Sequence, residues 1–476
     1  MAELSTVSAS TTIALNEKVG MNAHENGGEA MSDDRLAEGL RLESFRVSKL
    51  FGEFDHFIPL SQASRITALI APNGIGKTAC LRLINALFKR QWSVFASTEF
   101  YQLEYRFSDE SRVIVRHATA EDAFDEPGMG IAFETHFKGE RDLWMPKPTD
   151  QLPNRVLRVE QYLPFLTRIA PQRWIHDHTS QQFTLQEIVD AYGDQLPDSI
   201  VEAINTKPSP TLGRIVGAID CHLIETQRLL ILAEDISRRS SSSTLTISKK
   251  AQTLKSIIAR ELTAYASLSQ SLDRSFPRRV IEHGPILPPE DLTEGLKELD
   301  IHRRKLMDAG ILDTEQDDAL LPPGEVDSAI AAVLSVYLRD TKRKLDSLST
   351  ILSRITLFIE LIDDRFKPKS IAVDKSVGFA VKRGSEITVP LEKLSSGEQH
   401  QLVLFFELLF ELQKNALILI DEPELSLHVA WQKKFIPDLQ RIINLNQFDV
   451  LLATHSPQLI GRWDDLVVEL GDVDAE

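Results

Sequence analysis

Three short apolar segments stand out in the hydrophobic pattern of this chain. RITALI at 65–70 begins with Arg65 and contains Thr67, whereas LILI at 417–420 and VLLA at 450–453 are continuously apolar. Runs of this kind without polar interruption are typical of strands buried on both faces of a parallel sheet. After the first run, residues 79–88 (ACLRLINALF) carry apolar side chains at helical spacing. The pattern therefore predicts an α/β fold with a strand, a loop and a helix in succession near residue 70.

Alternating apolar and polar positions predict a second, antiparallel β region. They occur at 42–57, 100–107, 112–117 and 130–137, and the polar tetrapeptide SDES separates the second pair as a hairpin turn. We predict that residues 156–220 are mostly helical. The segment CHLIETQRLL at 221–230 should begin as a strand, and SRRSSSST at 237–244 should form a loop.

Long helical patterns fill the middle of the chain. They cover about 247–276, 291–310 and 325–365, and strand character resumes at 371–380 and 387–391. We therefore predict one mixed-sheet head that is built from both chain ends and carries a helical insertion. The expected divisions are a disordered tail at 1–38, the two parts of the head at 39–236 and 369–476, and the insertion at 237–368.

Composition narrows the function classes. The chain has 476 residues and a net charge of −17, which disfavours a broad nucleic-acid surface but is compatible with local basic patches. No apolar run reaches the roughly 18 residues of a membrane span, and no secretory leader is evident. The two cysteines, Cys80 and Cys221, have no metal-ligand spacing, so we expect a reduced, cytoplasmic environment.

The loop APNGIGKT at 71–78 has the composition of a phosphate-binding turn. Glycines let the backbone approach phosphates, and the amides at the start of the following helix face the anion. Lys77 would reach the β- and γ-phosphates, and Thr78 would ligate Mg²⁺. Ala71 stands where such loops usually begin with glycine. The candidate nucleotide-binding residues are Asn73, Gly74, Ile75, Gly76, Lys77 and Thr78.

Two carboxylates and a histidine follow the other apolar runs. Asp421 and Glu422 stand at the end of LILI, where ligands of open α/β sheets bind. Asp421 can hold Mg²⁺, and Glu422 can position the attacking water or take its proton. His455, after VLLA, can contact a γ-phosphate or orient water. The alternatives are an ordinary acidic pair at a loop start and a structural histidine.

Two further sites have weaker signals. Ser395 and Gly397 precede a predicted helix that begins near Glu398, and free amides at a helix N-terminus bind anions. Taken alone, a simple helix cap explains this segment better. Gln227 follows the strand predicted at 221 and could ligate Mg²⁺, although an ordinary polar loop residue fits as well.

These motifs, in this order, resemble the ABC-type ATPases related to the OLD, RecF and SMC families, and within that group the ATPases of bacterial phage-defence operons. The similarity is strong over roughly 40–90 and 385–470, and moderate at 221–230 and at SLDRSFPRR, 271–279. The resemblance implies that Lys77 and Thr78 are Walker A residues and that Asp421 and Glu422 form Walker B. It also implies that Ser395 and Gly397 belong to the signature loop, that Gln227 belongs to the Q-loop, and that His455 is the switch histidine.

The resemblance also implies partners and cofactors. Two heads would face each other with two ATP molecules and their Mg²⁺ ions between them, so that each ATP contacts Lys77 of one copy and Ser395 of the other. A homodimer or higher oligomer is therefore expected. No nuclease motif is found in the chain, so an effector nuclease would be a separate protein. No membrane partner is expected.

The leading functional hypothesis is an ATP-hydrolysing sensor that controls such an effector in a defence system of the Septu, retron or PARIS type. The main alternative is a DNA repair or recombination ATPase of the RecF/SMC kind, with DNA as a partner and strongly salt-dependent binding. A transporter ATPase subunit is disfavoured by the helical insertion. A scaffold that does not hydrolyse ATP is disfavoured because Glu422 is present.

Overall fold

The structure is a computed structural model. It describes residues 39–118, 130–146, 158–170, 173–177, 182–197, 200, 207–225, 242–282, 286–313, 327–384, 387–426 and 429–471. The tail predicted at 1–38 and the candidate ligand Gln227 lie outside these residues.

The strands of the described residues are numbered in chain order. They are β1 (Leu42–Leu50), β2 (Phe54–Pro59), β3 (Ile66–Ile70), β4 (Gln102–Phe107), β5 (Arg112–His117), β6 (Ile131–Phe137), β7 (Glu140–Trp144), β8 (Leu166–Ala170), β9 (Arg173–His176), β10 (Gln182–Thr184), β11 (Cys221–Glu225), β12 (Lys369–Asp374), β13 (Gly378–Arg383), β14 (Ile387–Val389), β15 (Leu417–Asp421), β16 (Asp449–Thr454) and β17 (Val467–Glu469).

The α-helices are numbered in the same way. They are α1 (Lys77–Phe88), α2 (Trp92–Ser97), α3 (Leu185–Tyr192), α4 (Pro210–Ala218), α5 (Ser242–Ile281), α6 (Pro289–Asp308), α7 (Ser328–Asp346), α8 (Ser349–Phe366), α9 (Ser396–Phe406), α10 (Val429–Asn446) and α11 (Pro457–Ile460).

A five-stranded parallel sheet takes strands from both ends of the chain. Its order is β11-β15-β16-β3-β17, so two early strands and three late strands form one sheet. Ile66 lies opposite Val450, and Leu417 lies opposite Asp449. Every residue of β15 and β16 is buried, as the continuous apolar runs predict. The carboxyl ends of β3, β15 and β16 therefore lie side by side.

A six-stranded antiparallel sheet in the order β2-β1-β4-β5-β6-β7 forms the second layer. It contains the predicted hairpin of β4 and β5. Helix α1 lies between this sheet and the parallel sheet. Leu81 and Ile84 of α1 share a buried core with Phe45 of β1 and Leu419 of β15. In addition, the hydroxyl of Tyr105 donates to the carbonyl of Leu83 at 2.9 Å. The helix that begins at the phosphate loop is thus held from both sides.

The segment 156–220 contradicts the helical prediction in part. Strands β8, β9 and β10 form a three-stranded sheet within it, and its described helices are short. Trp174 and Phe183, which lie opposite each other across β9 and β10, are buried in a small separate core. Strands of three to five residues are too short to show a period of two, so the pattern could not separate them from helix.

The helical insertion runs from α5 to α8. Helix α5 has 40 residues, about 60 Å at 1.5 Å per residue, and extends beyond the predicted 247–276 at both ends. Residues 242–244 are helical, so the loop prediction for 237–244 is wrong there. Serine has a weak helix propensity, so the serines at 242–243 gave no helical signal. Further along α5, Ile247, Leu254 and Ile258 are buried in the core that the insertion shares with the head. A break at 347–348 divides the single helix predicted at 325–365.

The chain then returns to the head through the three-stranded sheet β12-β13-β14. Helix α9 begins at Ser396 and continues as a π-helical turn from Glu407 to Glu411. Lys250 of α5 contacts Glu407 and Glu411 of this turn at 2.8 and 2.6 Å. No helix in the described part of the chain is long and apolar enough to cross a membrane. The α/β head with an antiparallel β region and a helical insertion agrees with the predicted fold class.

Candidate functional site

The phosphate loop joins β3 to α1 and leaves the N-terminus of that helix open. Gly76 precedes the first helical residue with φ of 100°, and Gly74 has φ of 90°. The φ of Gly76 favours glycine, and a Cβ there would lie 2.6 Å from Cδ2 of Leu50, so that the Leu50 side chain would have to shift. No side chain caps α1, and its first turn contains no acidic residue. Its amides can therefore bind an anion.

Lys77 is buried, with 5% of its surface exposed. Its Nζ donates to the carbonyls of Ala71 at 2.9 Å and Pro72 at 3.2 Å, and it lies 3.3 Å from Nδ1 of His455. Burial lowers the pKa of Lys77 below its ordinary value. The nearby carboxylates Glu422, Asp421 and Glu424 raise the pKa, but they do not outweigh burial. Ala71 contributes only its carbonyl to this contact, and its methyl group is buried in the core between the sheets.

Thr78 and Asp421 come from opposite ends of the chain and meet at the sheet edge. The hydroxyl of Thr78 donates to Oδ2 of Asp421 at 2.9 Å and lies 3.2 Å from Oδ1. Neighbouring oxygens of an octahedral Mg²⁺ ion, each about 2.0–2.1 Å from the metal, are about 2.9 Å apart. The spacing of this pair therefore fits two adjacent ligands of one magnesium ion.

Among the described residues, no cluster of three or more His, Cys, Asp or Glu side chains could hold a metal by itself. Mg²⁺ in nucleotide sites is usually bound by one or two protein oxygens together with phosphates and water.

Glu422 and His455 face each other across adjacent strand ends. Glu422 has φ of 48°, a left-handed conformation that is uncommon for a non-glycine residue, and its N–H donates to the carbonyl of Ala453 at 2.9 Å. Its Oε1 lies 3.5 Å from Nε2 of His455. Because Nδ1 of His455 lies beside the ammonium of Lys77, this nitrogen is the acceptor, and Nε2–H points to Glu422.

Sequence reasoning missed Glu424. Its Oε1 accepts hydrogen bonds from the hydroxyl of Thr454 at 2.8 Å and from the backbone N–H of His455 at 2.7 Å. Gln432 of α10 accepts from the hydroxyl of Ser456 at 2.8 Å and donates to the carbonyl of Glu424 at 3.4 Å. The only sequence signal was a third carboxylate two residues after Glu422.

His56 of β2 was also missed. It is 3% exposed, and its Nε2 lies 2.7 Å from the carbonyl of Ile75 in the phosphate loop. The available signal was a polar residue at an inward position of an alternating strand, where an apolar residue is expected. Asn73 and Gly74 line the adjacent cleft, whereas Ile75 contributes this carbonyl contact.

The cleft has a volume of about 920 Å³ and brings most of the predicted residues together. The sequence-predicted residues along its wall are Asn73, Gly74, Gly76, Lys77, Thr78, Glu422 and His455. Asp421 lies just behind, in contact with Thr78. Neither Ser395 nor Gly397 is among the described residues that line this cleft.

The predicted signature segment forms a capping box. Ser395 caps α9 by accepting a hydrogen bond from the N–H of Glu398 at 3.3 Å. The carboxylate of Glu398 in turn accepts from the N–H of Ser395 at 2.8 Å. Lys369 of β12 contacts the same carboxylate at 2.8 Å. Within one chain, the helix-cap interpretation therefore describes this segment.

Comparison with known proteins gives a family similarity for the C-terminal part of the chain. Residues 303–461 match the family described as "AAA domain, putative AbiEii toxin, Type IV TA system". This range contains β15, β16 and the predicted residues from Ser395 to His455. That part of the chain thus resembles an AAA-type ATPase domain. No curated protein matches the chain.

Solved structures with similar folds include heads of SMC proteins. The Smc head domain of Pyrococcus furiosus bound to the C-terminal domain of ScpA is 12% identical, with a TM-score of 0.34, over 90% of this chain and 93% of that one. An SmcHead bound to the C-winged helix domain of ScpA is 13% identical, with a TM-score of 0.32 and the same coverage. The SMC head domain from Thermotoga maritima is 10% identical, with a TM-score of 0.31, over 91% and 95%.

Proposed function

We propose that this protein is a cytoplasmic, magnesium-dependent ATPase that converts ATP and water to ADP and phosphate. The observation that carries the proposal is the 2.9 Å contact between the Thr78 hydroxyl and Asp421, beside the buried Lys77 and an uncapped helix N-terminus. An uncapped helix N-terminus, a lysine ammonium and two oxygens at the spacing of magnesium ligands lie together there, and a nucleoside triphosphate requires this combination of groups.

Each residue has a role in this proposal. The loop amides and Lys77 bind the phosphates, and Thr78 and Asp421 hold Mg²⁺, which neutralises charge on the phosphates when bound. Glu422 orients the attacking water and takes its proton as the water oxygen bonds to the γ-phosphorus and the bond to the β-phosphate oxygen breaks. His455 stands beside Glu422 and Lys77, where it can contact the γ-phosphate.

The Glu422→Gln variant tests this function. It keeps the shape of the side chain and removes the base, so we expect ATP binding close to wild type and a kcat about 10²- to 10⁴-fold lower. Binding would be measured by isothermal titration with ATP and Mg²⁺, and turnover by phosphate release. The control is Glu360→Gln, at a half-exposed carboxylate of α8. Turnover of Glu422→Gln near the wild-type rate would exclude the assigned role.

The same proposal includes a second copy of the chain. The N-terminus of α9 does not line the cleft of its own chain. We infer that Ser395 and Gly397 contact ATP bound to the partner copy, which would make an ATP-bridged dimer the active unit. In this arrangement, parts 39–236 and 369–476 form the head, and 237–368 forms an insertion that is available to other proteins.

We further propose that the ATPase regulates a separate effector nuclease in an anti-phage defence system. In support, the matching family description names the AbiEii toxin and a type IV TA system. The described residues also contain no metal cluster that could serve a second catalytic site. Phage plating on cells that express the native operon would test the role, with Lys77→Ala as the inactive variant. Equal protection by both forms would contradict ATP-dependent control.

A further inference from the structure

Two loops carry the groups that would act on water and the γ-phosphate. One follows β15 and contains Glu422, and the other follows β16 and contains His455. The strands are parallel neighbours, with Asp421 opposite Ala453. Parallel pairing aligns the strand ends, but it does not by itself determine where the side chains of the following loops point. The 3.5 Å approach of Glu422 to His455 therefore needs contacts between the loops.

Glu424 makes those contacts. Its Oε1 accepts from the Thr454 hydroxyl at 2.8 Å and from the His455 N–H at 2.7 Å. Hydrogen bonds to a carboxylate are shorter and stronger than those between neutral groups. One residue of the first loop thus holds the backbone of the second loop at the histidine itself.

A second link continues the network on the far side of the histidine. The N–H of Ser456 donates to the Thr454 hydroxyl at 2.9 Å, and the Ser456 hydroxyl donates to Gln432 of α10. Gln432 in turn donates to the carbonyl of Glu424. The histidine loop is therefore held on both sides of His455.

Glu424 does not itself line the cleft. Its second oxygen, Oε2, is buried and accepts no hydrogen bond in the described part of the chain. A buried carboxylate oxygen without a donor is costly, so the carboxylate is kept at this position against a desolvation penalty.

We propose that Glu424 is a positioning residue that fixes the distance between Glu422 and His455, and that it contributes to turnover only through His455. The proposal rests on the proposed ATPase function. The left-handed Glu422 has its own contact with the neighbouring strand, because its N–H donates to the carbonyl of Ala453.

The simpler interpretation is that Glu424 only stabilises the fold of the loop. The two interpretations predict different results for Glu424→Ala. A positioning role predicts a kcat about 10- to 100-fold lower with KM changed less than about threefold, because small displacements of reacting groups reduce turnover more than binding. A structural role predicts that ATP binding, turnover and Tm decrease together.

The tests are phosphate-release kinetics, ATP titration and thermal unfolding of six variants, among them Glu424→Ala and His455→Ala. Glu424→Gln keeps the acceptor for Thr454 and His455 and should recover most of kcat. Thr454→Val removes one of the two bonds to Glu424 together with the acceptor for the Ser456 N–H, keeps the bond from the His455 N–H, and should cause a smaller loss than Glu424→Ala. Glu424→Ala combined with His455→Ala should be no slower than His455→Ala alone, since the effect passes through the histidine. Glu360→Ala is the control.

Each outcome is decisive. A Glu424→Gln variant as slow as Glu422→Gln would identify Glu424 as a base and overturn the proposal. The proposal would also be overturned if the losses of kcat were additive in the double variant, or if Glu424→Ala had an unchanged kcat. Failure of the proposed function itself would be recognised separately, because wild-type protein would then show no ATPase activity and no ATP binding.

Discussion

The N-termini of α1 and α9 were both predicted to bind phosphate. In the structure they differ. Helix α1 begins after Gly76 without a capping side chain and without an acidic residue in its first turn. Helix α9 begins after Ser395 with a complete capping box, and Glu398 occupies its first turn. The first terminus is an open anion site, and the second already holds a carboxylate of its own chain.

The two helix termini differ because of the Glu398 side chain and its partner Lys369. Glu398 binds the N–H of Ser395, and Lys369 neutralises it from β12. Burial raises the pKa of Glu398, but the hydrogen bonds from Lys369 and Ser395 outweigh burial, so the pKa lies below its usual value. The capping box uses the N–H groups of Ser395 and Glu398, and the amides between them belong to neither of these two bonds. Under the proposed function, the N-terminus of α1 binds ATP of its own chain, and the N-terminus of α9 contacts ATP held by a partner copy.

The strongest test of the open terminus is Lys77→Ala. It removes the cation beside the free amides, and we expect ATP binding to fall at least about 100-fold, because charge-assisted phosphate contacts are lost in a buried site. Isothermal titration with ATP and phosphate release would measure the effect. Lys89→Ala is the matched control, since Lys89 follows the other end of α1 and pairs with Asp220 at the surface. If Lys77→Ala bound ATP with wild-type affinity, the N-terminus of α1 would not be part of the nucleotide site.

The division of tasks is tested by mixing two inactive variants, Lys77→Ala and Ser395→Arg. In a two-fold dimer, a mixed pair has one site with both wild-type halves, so random mixing should restore about a quarter of the wild-type ATPase rate. Differently tagged variants would show by co-purification that mixed pairs form. If a preparation that contains mixed pairs recovered no ATPase activity, Ser395 would not contribute to the ATP site of the partner copy.

A smaller effect is expected from Ser395→Ala, which opens the capping box. Loss of a helix cap should lower the free energy of unfolding by about 0.5–2 kcal/mol. Asp327→Ala is a matched control, because Asp327 caps α7 through a 2.8 Å bond to the N–H of Ile330. Urea unfolding should give similar losses for both variants, and only Ser395→Ala should also slow ATP turnover. Equal turnover in both would leave Ser395 with a capping role alone.

The smallest effect concerns pH. Because the pKa of Glu398 in the folded protein lies below its ordinary value of 4.5, this group stabilises the fold fully above pH 4.5 and loses its contribution as the pH falls through the lowered value. The difference in unfolding free energy between wild type and Glu398→Gln should therefore be constant from pH 6 to pH 7 and decrease below about pH 4.5. Urea unfolding at several pH values would measure it. A difference that grows on acidification would contradict the ion pair with Lys369.

The predictions of local structure succeeded where a pattern was long or uninterrupted. Strands β3, β15 and β16 and helix α1 follow directly from apolar runs and helical spacing. The short strands β8, β9 and β10 were missed, since three to five residues carry too little periodicity. The ends of α5 were also misplaced, because the serines at 242–243 and Pro277 lie within the helix although their local propensities are typical of loops and helix ends.

By itself, the sequence determined which residue types follow each buried strand: glycines and a lysine after β3, two carboxylates after β15 and a histidine after β16. Strand ends of one parallel sheet share an edge, so those groups had to converge. Only the tertiary structure decided the contacts that align them, because His56 reaches Ile75 from another sheet and Glu424 reaches His455 from another loop. Such contacts join residues distant along the chain through directional hydrogen bonds. No periodicity in a single sequence encodes that direction.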